Sequence, residues 1–570
     1  MGTAWTVFEG TKPEPMQVEI LGVLRDARGP GHDMILAQLH GAKPEYTGVV
    51  AGMSGSPVYI GNKLLGSLSF RIGQFSKDPI AGITPIAQML EVRDVGTEGL
   101  GTRDKGQGIG TRDVGTKGLG TEGLETGGAD TLFQAMETPL VMAGFAPDAV
   151  KFWQKKMAGT GLEMVAAGGA AASGGSAASF AMSAEAIKGV EPGSAVSAQL
   201  VRGDLEIAAT CTVTYVDPKQ LLACGHPILQ AGSVSLPMTT ADVVATLASP
   251  LNAFKIVNTG ETIGTFTDDR DAAIRGVFGE EPRMIPVHIE MPGLRGREKL
   301  NVEVLDMPAL TPQAVTVVVY QALLQTNESS VDTSYHITGS IDVAGYGKSP
   351  VDVWAAGAEG PQPQLMAALL VGDRFGKLYS NDAREKPIRA VTLNVEAVPR
   401  RMSVDLVSAR FISSNIVHSG DTVTVEATVR PWQGAARNVR IPFVVPARLD
   451  GGTMRVLVSD AGTLDRTLDQ PRMMQRQPDM ATTLAQAQNQ HAADRIYVSL
   501  LLPETQAGLG GHTLSSLPIT MANALEPLRS GEELMLNGES VVVAGDAAAE
   551  GVLSGFELLT LRVEPGSGIH

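Results

Sequence analysis

Short apolar segments, some alternating with polar residues and some unbroken for roughly four to eight positions, recur along this chain between glycine and proline breaks, and they predict β-strands more than helices. Residues 58–60 and 63–70 flank Gly61-Asn62 and predict a hairpin, and residues 47–51 predict a short strand leading into it. The pattern holds over residues 1–92, lapses over 93–188 and resumes over 189–330, where 198–202, 207–215 and 284–290 read as strands separated by turns. That spacing favours a β-barrel over alternating βαβ units. Within 93–188, a glycine-rich repeat (Arg93 to Gly101, echoed to Gly120) reads as a surface insertion. A helix over 147–157 and an Ala/Gly/Ser linker over 166–179 follow. Residues 331–400 form a mixed α/β connection with a helix over 363–372. Over 401–570, strands at 403–410 and 421–429, with a turn at Ser419-Gly420, predict an immunoglobulin-like β-sandwich. A polar stretch at 470–494 reads as helical or loose.

Candidate chemistry centres on Gly52-Met53-Ser54-Gly55-Ser56-Pro57. Glycines around a serine let the backbone turn sharply, so that the amides of Gly52 and Ser54 can face a developing oxyanion. A serine hydroxyl needs a base, and of the 9 histidines His226 stands out in Leu221-Leu-Ala-Cys-Gly-His-Pro, where an apolar strand stops at Gly225 and Pro227. Such an imidazole sits at a strand rim, either as a structural residue or as the base.

These two segments together resemble the sporulation stage IV B (SpoIVB-type) serine peptidases, a bacterial family that pairs a GMSGSP nucleophile loop with a glycine-histidine loop. Residues 8–10, 18–23, 79–86 and 263–270 add to the resemblance, which covers roughly the first 330 residues without the repetitive insertion. It implies a chymotrypsin-like double β-barrel peptidase domain built from two separated segments, 1–92 and 189–330, which together with the immunoglobulin-like β-sandwich modules read from the pattern beyond 401 makes the chain mainly β. It also implies a serine endopeptidase in which Ser54 is the nucleophile and His226 the general base, acting on a protein or peptide. Here the serine precedes the histidine, the reverse of the family's order, and triads tolerate any order. The family's orienting aspartate falls near His40, with Asp33 one strand-length earlier. Asp33, His40, an acid elsewhere such as Asp217 in the Val216-Asp217-Pro218 turn, or a dyad with no third member all stay open. The uncertain third member leaves a second reading, a catalytically degenerate barrel that binds peptides or cell-envelope partners along its sheet edges.

The remaining composition narrows the picture. With 61 acidic and 45 basic residues the chain carries a formal charge of -16, which argues against a nucleic-acid partner. No apolar run approaches the roughly 20 residues a membrane span needs. The start shows no secretory leader, and because the family is generally exported, an extracytoplasmic location requires a leader missing from this chain. Cys211 and Cys224 are the only cysteines. Buried free thiols are the expectation, with a disulfide the alternative in an oxidising compartment. Two thiols and one histidine do not make a zinc site, and Asp268, Asp269 and Asp271 read as a solvated acidic turn, so no metal or cofactor is expected.

Overall fold

The computed structural model describes residues 1–72, 78–94, 133–158, 162–166, 182–249, 253–326, 332–356, 362–379, 387–469, 480–509, 512–525 and 534–564, apart from 137, 294, 295, 413, 415, 448 and 450. Most of the repeat and of the Ala/Gly/Ser linker lie outside these residues. The chain divides into two units, Met1–Met284 and Ile285–His570.

In the first unit, strands β1 (Gly2–Thr6), β2 (Glu14–Leu24) and β3 (Met34–His40) are followed by a short helix, α1 (Ala42–Thr47), and then by β4 (Pro57–Ile60), β5 (Lys63–Ile72) and β6 (Ile80–Pro85). Their pairings run β1-β2-β3-β6-β5-β4 and return to β1, so six strands close into a barrel. Alternation explains the closure: Ala4, Met16, Val18, Ala37, Leu39, Val58, Leu68 and Ile83 point inward and form one buried cluster. The strand expected over 47–51 is absent. Pro44 is tolerated in the first turn of α1, Gly48 stops the helix at φ +72°, and Ala51 makes only an isolated bridge to Phe254.

Helix α2 (Ile86–Asp94) and strand β7 (Phe133–Ala135), which pairs with β5, complete this half. Next come β8 (Thr138–Ala143), α3 (Pro147–Met157) and β9 (Leu162–Ala166), a parallel pair joined through a helix. Proline at its start and an apolar face of Ala149, Val150, Trp153 and Met157 make α3 helical. After α4 (Ala184–Lys188), strands β10 (Ala195–Gly203), β11 (Glu206–Val216), β12 (Gln220–Ala223), β13 (Gly232–Leu247), β14 (Phe254–Arg270) and β15 (Ala273–Phe278) pair in the order β10-β13-β14-β15-β12-β11, and β11 pairs again with β10. This second circuit contains His226 just past the end of β12.

In the second unit, antiparallel strands Ser334–Val343, Gly347–Ala355 and Ile388–Val398 accompany helices Thr311–Leu324 and Pro363–Tyr379. The two helices pack closely because Gly372 has no side chain: a Cβ there would meet Thr316 Oγ1 at 1.9 Å. Beyond residue 401 a four-stranded and a five-stranded sheet share one core. Val423, Val425, Ile441 and Phe443 from the first meet Val456, Val458, Val498, Leu500 and Leu561 from the second, the arrangement of a β-sandwich. Part of the polar stretch after 470 is the helix Met480–Gln488.

Candidate active site

The serine loop is built by close backbone approach. Gly52 and Gly55 both take φ +96°, and a Cβ at Gly55 would lie 1.8 Å from Thr212 O and 2.6 Å from Cys224 N. Glycine is therefore required where the loop lies against β11 and the end of β12. Strand β11 then takes up the loop's carbonyls: Thr212 N donates to Ser54 O at 2.7 Å, Thr212 Oγ1 to Gly52 O at 2.9 Å and Thr214 Oγ1 to Gly55 O at 2.7 Å. Met53 N, Gly55 N and Ser56 N donate to Val50 O, Leu68 O and Met53 O at 3.0, 2.8 and 2.9 Å. The amides of Gly52 and Ser54 have no such acceptor among the described residues, so the two donors proposed for an oxyanion are uncommitted.

The histidine loop is received by the first barrel. Past β12 the chain takes φ +68° at Cys224 and +73° at Gly225. A Cβ on Gly225 would lie 2.0 Å from Ser67 Oγ and 2.1 Å from Ser69 Oγ of β5, and Gly225 O accepts from Thr84 Oγ1 of β6 at 2.7 Å. This brings His226 Nε2 into a hydrogen bond with Ser54 Oγ. His226 Nδ1 faces Pro227 O at 2.7 Å. A carbonyl only accepts, so the proton sits on Nδ1 and Nε2 presents the lone pair a general base needs. Ser54 Oγ also hydrogen-bonds to Cys224 O. One hydroxyl proton thus has two acceptors, and the Cys224 carbonyl competes with the imidazole for it.

Ser54 and His226 are 0% and 2% exposed. Burial carries the imidazole pKa down to about 4, with the Arg28 cation adding to the fall and the Pro227 carbonyl opposing it. None of the carboxylates or the imidazole proposed as a third member hydrogen-bonds to His226. Asp33 Oδ1 accepts the Asp26 amide at 3.0 Å, His40 Nε2 lies 3.2 Å from Glu19 Oε2, and Asp217 Oδ1 caps the amides of Lys219 and Gln220 at 2.9 and 3.0 Å. The partner of Nδ1 is a backbone carbonyl, which makes the constellation a dyad.

Three features around the dyad depart from the sequence expectations. Cys211 and Cys224 form a disulfide with Cα atoms 5.3 Å apart, not free thiols, because the β11–β12 pairing brings their backbones together. Asp268 and Asp269 are buried, not a solvated turn: Asp268 pairs with Arg275 at 2.7 Å and Arg270 at 3.3 Å. Asp269 accepts the amides of Ile228, Leu229 and Ala231 at 2.8, 2.6 and 3.4 Å, which fixes the loop after His226. Burial pushes its carboxyl pKa up, against the amides that pull it down. Only Asp271 of the three is substantially exposed. The third feature is Lys255, fully buried beneath the serine loop. Its stem lies 3.2 Å from where a Gly52 Cβ would be, and its Nζ donates to Thr6 Oγ1 at 2.7 Å.

Comparison with protein-family models, with curated proteins and with solved structures gives no match. The chemistry of the site therefore rests on its own atoms. A serine hydroxyl shared between a neutral imidazole and a carbonyl, beside two uncommitted amides, has the groups for attack on a carbonyl carbon once its proton goes to the imidazole. Among the described residues no group of three side chains is placed to hold a metal ion. Asp269 and Lys255 carried no recognisable signal in sequence. Asp269 lay inside the 263–270 stretch, where three nearby acids looked like a turn, and a lone lysine in a strand resembles any surface lysine.

Proposed function

We propose that the protein is a serine endopeptidase of the SpoIVB type, with a chymotrypsin-like pair of barrels followed in sequence by immunoglobulin-like modules. The observation that carries this is the hydrogen bond from Ser54 Oγ to an imidazole Nε2 whose other nitrogen bears the proton. In the reaction His226 takes the Ser54 proton as Oγ attacks a peptide carbonyl. The amides of Gly52 and Ser54 receive the oxyanion, each donor being worth about 10² to 10³ in rate. The imidazolium then protonates the leaving amine, the C–N bond breaks, and water, deprotonated by His226, releases the acyl group from Ser54. The Cys211–Cys224 disulfide supports an oxidising, extracytoplasmic location, with envelope proteins as substrates or partners. Casein digestion and fluorophosphonate labelling test the reading: both are expected of the native chain and neither of Ser54→Ala. Equal digestion by Ser54→Ala removes the assigned nucleophile.

A second reading is favoured by the competing Cys224 carbonyl and by an imidazole held near 4 with no carboxylate behind it. Both features weaken the base, as in a degenerate peptidase that only binds extended peptides. Peptide binding without any fluorophosphonate labelling of the native chain selects this reading.

A further inference from the structure

The turn between β2 and β3 carries a cation, Arg28, against the turn that follows Asp269. Its position is fixed by Asp271 and Phe70. Nη2 donates to Asp271 O at 2.9 Å and meets the Asp271 carboxylate at 2.5 Å, two residues past the Asp269 that clamps the loop after His226. The guanidinium lies 4.8 Å over the ring of Phe70, which follows the Ser69 hydroxyl lying under Gly225. The Arg28 charge adds, after burial, to the lowering of the His226 pKa. The side chain is only 11% exposed, yet Nη1 is wholly buried and has no hydrogen-bond acceptor among the described residues.

A buried N–H with no acceptor is costly to keep, and an arginine edge is a planar fork matched to a carboxylate. In the same turn His32 Nδ1 is also buried without a partner, and Arg28 N donates to His32 O at 3.2 Å. Asp271 does not use up this cation. It meets the Nη2 edge alone and is 53% exposed, so water screens its charge. The chain as a whole carries -16, so its long-range field does not attract an acidic peptide, and only a local cation can select one.

We propose that Arg28 is a specificity-determining residue whose Nη1 edge receives a carboxylate of the substrate, so that favoured peptides carry Glu or Asp beside the scissile bond. Ser54 and His226 are 0% and 2% exposed and the Arg28 side chain 11%, so all three are largely shielded from water. The bound carboxylate has a second effect. It offsets the positive charge next to an imidazole that must itself become positive during attack, so an acidic substrate strengthens its own general base. This inference rests on the peptidase reading.

The test uses internally quenched peptides identical except for Glu or Gln at one position, with that position walked along the chain. At one position the native protein is expected to cleave the Glu peptide with kcat/KM about tenfold or more above its Gln counterpart. Arg28→Gln removes that ratio, Arg28→Lys keeps part of it, and Arg28→Glu turns the preference towards a Lys peptide. Equal turnover of both members of every pair by the native chain overturns the proposal and leaves the peptidase standing. If no peptide is cleaved, the peptidase reading fails, and anisotropy with the same peptides and Ser54→Ala decides the matter of Arg28. A Glu preference of about tenfold in Kd supports it, and equal Kd values overturn it. The native chain's own ratio settles the question even where a variant misfolds.

Discussion

The carboxylate of Asp269 accepts the amide of Ile228 at 2.8 Å, so a buried acid on β14 holds the backbone that follows His226 without touching the imidazole. Because both of its oxygens are used, on Ile228 and Leu229, an amide cannot replace it. Asp269→Asn turns one oxygen into an NH₂ facing an N–H, at a cost of about 1–3 kcal/mol. The expected result is a lower unfolding midpoint in urea and slower fluorophosphonate labelling of Ser54. Unchanged labelling removes Asp269 from the positioning of His226.

His226 ties stability to acidity. Its folded pKa is near 4 and the unfolded value is near 6.5, so the unfolded chain binds more protons between those values. The contribution is whole above pH 6.5, shrinks as pH falls, and by pH 4 about 3 kcal/mol has gone. In His226→Gln this part of the acid sensitivity disappears. Denaturant titrations of both proteins from pH 7 to pH 4 measure it as the difference between two slopes.

Lys255 shows the opposite end of the scale. Burial lowers its pKa from 10.5 to about 7, so its share of stability is complete only above pH 10.5 and falls away down to pH 7. At neutral pH this amounts to a penalty of up to about 5 kcal/mol. Lys255→Met keeps the stem over Gly52 and is expected to raise the urea midpoint at pH 7, with a smaller gain at pH 9.5. A midpoint that drops at pH 7 contradicts the assignment.

The disulfide closes a loop with a sequence separation of 13. Removing such a cross-link costs about 3 kcal/mol in the chain-entropy account. With both cysteines replaced by serine, position 224 keeps the same left-handed backbone, whose amide donates to Thr212 O at 3.2 Å. Thermal unfolding is expected to begin earlier, and labelling of Ser54 to slow because Cys224 precedes the histidine loop. Faster labelling instead assigns the Cys224 carbonyl as a brake on the nucleophile.

Where local chemistry dictates structure, the sequence was readable. Gly52 and Gly55 marked a turn that only glycine can make, and Gly61-Asn62 marked the β4–β5 hairpin. Gly225 and Pro227 marked the strand end that carries His226. The partner of Nδ1 is not readable, since a main-chain carbonyl has no residue signature. Asp269, Lys255 and Arg28 take their partners, Ile228, Thr6 and Asp271, from distant parts of the chain, a property absent from any short window. The disulfide needed the register of β11 on β12, which spacing alone left open.

Ser54 and His226 are 172 positions apart, and each half of the site needs the other barrel as its wall. At ~5–20 residues per second on the ribosome, Ser54 is made roughly 10–35 s before the imidazole it hydrogen-bonds to. Through that interval the Ser54 hydroxyl has no imidazole to accept its proton, so the pair exists only once both barrels have been made.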